Sequence, residues 1–82
     1  MNLKQGINIF KSEKGHRGFM YPASESFILS SDAEASILPW VGSEDKIAVM
    51  VEDETYAHTW KEKTVIIGPV WVSKSDIERG AR

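Results

Sequence analysis

The stretch that decides the fold is Lys46 to Ser73, KIAVMVEDETYAHTWKEKTVIIGPVWVS. In residues 46 to 52, Ile47, Val49 and Val51 alternate with Lys46, Ala48, Met50 and Glu52. Period-2 alternation in a β-branched run predicts a strand. Glu52, Asp53 and Glu54 then form an acidic triplet with no apolar residue, which predicts a hairpin turn. Residues 55 to 60 alternate again, with Tyr56, His58 and Trp60 on one face and Thr55, Ala57 and Thr59 on the other. Lys61-Glu62-Lys63 predicts the next turn. Thr64 to Ile67 is β-prone. Gly68-Pro69 predicts a bulge, bend or sheet edge, because proline has no N–H to give a ladder. Val70-Trp71-Val72 resumes the strand. The reading is a three-stranded antiparallel meander.

After the meander, Ser73 to Gly80 predicts one or two helical turns. Ser73 is the candidate N-cap, Ser75 and Glu78 have capping-box spacing, and Gly80 is the stop. So short a helix holds only when docked, which points to Ile77 packing on the sheet. Before the meander, Met1 to Gly6 reads as a polar, mobile start. Ile7 to Phe10, Phe19 to Tyr21 and Ser26 to Ser30 read as short strands, with Lys11 to Gly18 a polar loop. Ser31 to Leu38 reads as a second short helix. Its N-terminal signal is a Ser31/Glu34 capping box, and Pro39 ends it. The fold class expected is α+β, mostly antiparallel β: a single small domain over residues 1–82, with one or two short helices and a partly closed barrel. The ending, Val70-Trp71-Val72 followed by Ser73 to Glu78, resembles the close of SH3-like barrels over about nine residues. That resemblance implies an SH3-like or related fold and no particular function.

Composition narrows the chemistry. Eighty-two residues leave room for one core and one shallow site. There is no cysteine, which excludes disulfides, thiolate metal sites and thiol catalysis. No apolar run reaches the length of a membrane span and no secretory h-region opens the chain, so a cytoplasmic protein is expected. The net charge of −2 is unevenly spread. Residues 1–18 carry four bases against one acid, residues 19–58 one base against eight acids, and residues 59–82 five bases against three acids. An acidic middle disfavours nucleic acid and suits either solvation or a basic partner.

No nucleophile–base–orienter set is visible, and no serine sits in a G-x-S-x-G elbow, so no catalytic residue, cofactor or metal is expected. Glu52, Asp53 and Glu54 lack the EF-hand spacing. Ile7 to Phe10, Gly15-His16-Arg17-Gly18 and Glu44 to Ile47 together resemble the Greek-key motif of the βγ-crystallins, which implies calcium at Glu44 and Asp45. The sequence departs from that motif: Phe10 and Gly18 are one residue too far apart, and Ala48 stands where serine belongs. Lys14-Gly15-His16-Arg17-Gly18 is a candidate anion loop. Its glycines free the backbone, Arg17 offers a planar fork and Lys14 a point charge. Tyr56, His58 and Trp60 are either core or, if Ile47, Val49 and Val51 face the core, an exposed binding row.

Two functions follow as expectations. One is a non-catalytic module, phage- or mobile-element-like in size, that binds and modulates or inhibits a larger protein. It would work through Tyr56, His58 and Trp60 and the acidic patch Glu52, Asp53 and Glu54. The other is a homo-oligomer sequestering a phosphorylated metabolite or nucleotide signal, with Lys14, His16 and Arg17 on phosphate and Tyr56 or Trp60 stacked on a base.

Overall fold

The computed structural model describes residues 1–42 and 44–80. Six strands and one helix follow in order: β1 (Asn2–Leu3), β2 (Asn8–Lys14), β3 (Met20–Leu29), β4 (Ala33–Gly42), β5 (Lys46–His58), β6 (Lys63–Ser73) and α1 (Lys74–Gly80). A single 3-10 turn, His16–Gly18, joins β2 to β3. The fold is mostly antiparallel β with one short helix. Every recorded pairing is antiparallel, and β5 pairs with β6, β6 with β2, β2 with β3, and β3 with the end of β5. These four pairings complete a circuit. β4 lies on the first half of β5, and β1 on β4. No helix is long and apolar enough to cross a membrane among the described residues.

The strand expected over 46 to 52 and the one expected over 55 to 60 are one continuous strand. The acidic triplet is not a hairpin turn. Val51 pairs with Gly68 and Thr55 with Ile66, so Glu52, Asp53 and Glu54 stand opposite Ile67 alone. This is a bulge with two extra residues. An even number of extra residues preserves the side-chain parity, whereas one extra would flip every later side chain to the other face. Odd-numbered residues of β5 accordingly face the core on both sides of it: Val49, Val51, Thr55 and Ala57 are all buried. The backbone adjustment falls on β6, where Gly68 sits at φ +84°. The true reversal is at Thr59–Glu62. There Thr59 Oγ1 accepts the N–H groups of Lys61 and Glu62 at 3.1 Å each, and Thr59 N donates to Glu62 O at 2.8 Å.

The helix expected over Ser31 to Leu38 is instead β4. Its capping-box signal is local, and pairing with β5 overrides it: Ala35 meets Val51, Ser36 meets Met50 and Ile37 meets Val49. The ladder then breaks until Gly42 meets Ile47, and Pro39 lies in that break, where a missing N–H costs nothing. The N-terminus is also tied down rather than loose. Leu3 is fully buried, Leu3 pairs with Ala33, and the Met1 ammonium donates to Ala35 O at 2.7 Å. The core unites Leu3, Ile9, Phe27, Leu29, Val49, Val51, Ile66, Val70 and Val72, with Ile77 of α1 packed against it as its sequence position implies. Trp71 is buried on the opposite side of β6, beside its cross-strand partners Ala48 and Phe10.

Candidate binding face

With Thr55 and Ala57 turned into the core, Tyr56 and His58 must turn outward. Tyr56 is 45% exposed, and Trp60, at the reversal, is 89% exposed. Pairing adds residues from both flanking strands. Val65 is opposite Tyr56, and Ile28 of β3 is opposite His58. Ile67, two residues on from Val65, is 53% exposed. Tyr56, Val65, Ile67 and Ile28 therefore form an outward apolar row across three strands, with Trp60 exposed at the adjoining reversal, the kind of surface that marks an interface. Lysines frame it: Lys63 Nζ lies 4.8 Å from the centre of the Tyr56 ring, and Lys61 Nζ lies 4.8 Å from that of Trp60. Each contact holds a cation over a ring face. Glu54, two residues before Tyr56, ends the exposed acidic bulge.

His58 Nδ1 is 2.9 Å from Ser30 Oγ. A hydroxyl beside an imidazole is the first half of a nucleophile–base pair. Here it lies on an open sheet face, and no carboxylate is recorded on the other ring nitrogen among the described residues. It ties the imidazole to Ser30, one residue past the end of β3.

The hairpin tip places Lys14, His16 and Arg17 together, all exposed. Its backbone donors turn inward on the loop: Gly15 N donates to Phe19 O at 2.7 Å, Gly18 N to Gly15 O at 3.3 Å, and Phe19 N to His16 O at 3.4 Å. Three of the N–H groups available for an anion nest are thus already bonded. Arg17 holds φ +60°. The tip also carries Phe19, 73% exposed, which the sequence reading passed over as part of a strand. Within one chain the tip and the aromatic row lie apart. Ile28 is level with His58, and the hairpin ends at Met20, eight residues further, about 25 Å along an ordinary strand. Nearby, Glu13 hydrogen-bonds the Tyr21 phenol across the β2–β3 ladder, and that bond and its negative charge raise the phenol above its ordinary 10.0.

At the calcium pair implied by the crystallin-like motif, the Asp45 carboxylate lies beside Lys46, with Oδ2 3.2 Å from Nζ. The Glu44 and Asp45 main-chain carbonyls accept from Lys74, Glu44 O from Nζ at 3.0 Å and Asp45 O from N at 2.9 Å. No cluster of three or more metal-ligating side chains occurs among the described residues. Val65, Ile67 and Ile28 were missed because Val65-Ile66-Ile67 and Phe27-Ile28-Leu29 are apolar on both faces, and a fully buried strand reads the same way. No family model, curated protein or solved structure matches this chain, so the site rests on its geometry.

Proposed function

We propose that the protein is a non-catalytic binding module that docks on a larger protein and modulates it. The docking surface is the outward row of Tyr56, His58 and Trp60 with Ile28, Val65 and Ile67. The observation that carries this reading is Trp60, almost wholly exposed at the reversal two residues past the paired strand that holds out the half-exposed Tyr56. Aromatic side chains held out on a scaffold lose little entropy on binding and dominate interface energetics. The acidic bulge supplies the polar edge. The finer architecture belongs to the same proposal: the circuit of pairings through β5, β6, β2 and β3, and a last strand running straight into α1, support a small SH3-like or related barrel.

The test is affinity capture from cells of the source, comparing the unaltered chain with Trp60→Ala, Tyr56→Ala and a charge reversal of Glu52, Asp53 and Glu54. A partner held by the unaltered chain and lost with Trp60→Ala supports the reading. A partner held equally by all of them refutes it. The phosphorylated-ligand reading gains less, because in one chain Lys14, His16 and Arg17 stand far from the rings that would stack a base.

A further inference from the structure

The docking face is asymmetric in charge along β5. At its centre Tyr56 is paired with Val65. Two residues to one side stands Glu54, at the end of the acidic bulge, and two residues to the other side His58 is paired with Lys63. At strand spacing the backbone of Glu54 and that of the His58–Lys63 pair each lie about 7 Å from Tyr56. Lys63 stands on the outer face, where its ammonium overlies the Tyr56 ring. A partner of one sign matches half of this face and opposes the other half. A second copy of the chain carries both signs at the required separation.

We propose that in the free protein this face is covered by a second copy of the chain. The two copies are related by a two-fold axis that lies in the plane of contact and crosses the strands between Tyr56 and Val65. Such an interface is isologous: if Glu54 of one copy meets Lys63 of the other, the reverse contact forms as well. The same operation brings the two centres together, Val65 and Tyr56 with its overlying Lys63 ammonium facing their copies. An axis running along the strands would instead set acidic bulge against acidic bulge, and like charges facing each other are destabilising. Charge therefore fixes the orientation while apolar area supplies the attraction. An 82-residue chain has a small core, and association of this kind relieves that shortage. This inference rests on the reading of the face as a docking surface and names its occupant in the free state; a larger partner takes the second copy's place.

The experiment is sedimentation equilibrium of the full chain, Glu54→Lys, Lys63→Glu, an equimolar mixture of the two, and the double variant. Both positions are exposed, and circular dichroism establishes that each variant is folded. The unaltered chain is expected to be a dimer in the micromolar range. Each single reversal is expected to weaken it by about tenfold or more, since one substitution creates two like-charge contacts. The mixture and the double variant should both recover the dimer, because each restores two opposite-charge contacts. A monomeric unaltered chain up to the millimolar range overturns the proposal. So does a dimer that neither reversal weakens, or weakened singles that the mixture and the double variant fail to restore. The functional reading is separable: a monomer that still loses its partner on Trp60→Ala refutes the second copy alone, and a charge-exchanging dimer whose partner ignores Trp60→Ala refutes the partner-docking role alone.

Discussion

Leu3→Ala probes a residue that sequence reasoning assigned to a mobile start and that the structure seals in the core. Leu3 is 0% exposed and belongs to the main apolar cluster. Its segment is fixed by pairing with β4 and by Gln5 N donating to Asp32 Oδ1 at 2.8 Å and Gly6 N donating to Leu29 O at 2.9 Å. Truncating a buried leucine costs roughly 2–5 kcal/mol, from lost transfer energy plus the cavity left behind. β1 is only two residues long and sits at the margin, so it can settle partly into that cavity. The expected loss is therefore at the low end, about 2–3 kcal/mol. In a domain this small that lowers Tm by about 10–20 °C. Urea denaturation followed by tryptophan fluorescence measures it, with the midpoint falling and the slope unchanged. A loss under about 0.5 kcal/mol, the range of an ordinary surface change, would show that the N-terminal segment does not pack as described.

Backbone handedness gives a second, opposed pair. Gly68 at φ +84° has open space where a Cβ would go, so Gly68→Ala meets only the left-handed backbone penalty and should cost about 1 kcal/mol. Arg17 at φ +60° is the reverse case, and Arg17→Gly should be neutral to stabilising by up to about 1 kcal/mol. Thermal denaturation of both variants checks the pair, and a destabilised Arg17→Gly would contradict the tip geometry. The Tyr21 phenol is raised by the Glu13 carboxylate. The folded chain then holds that proton more tightly than the unfolded one, so this contribution is full below pH 10 and is lost as pH rises through the folded value. In a Tyr56→Phe background, tyrosinate absorbance should show the titration moving down toward 10.0 on Glu13→Gln; an unmoved titration would refute the contact.

Much of β5 and β6 was legible because Ile47, Val49 and Val51 alternate cleanly, and Gly68-Pro69 announced an irregularity that the structure contains. The acidic triplet misled because a bulge and a turn draw on the same polar residues. What separates them is the partner strand, here Ile67 and Gly68, which no local window includes. The Ser31 capping box misled for a related reason: four residues of helix signal weigh less than pairing along Val49 to Val51. Leu3 was a lone apolar residue among polar ones, with no period to reveal its burial. At the binding face, Tyr56 and His58 were assigned a common side correctly, but which side was buried waited on Thr55 and Ala57. Small residues fill the core there beneath the large ones outside, the inverse of the usual expectation from size.

The most direct measurement on the docking face is a dilution series of two-dimensional amide spectra on nitrogen-labelled protein. Residues 54–58 and 63–67 should shift together with concentration, while the hairpin tip at residues 14–19 stays fixed. Shifts confined to the tip would contradict the claim that self-association uses the Tyr56–Trp60 face, and none across the series would contradict self-association itself.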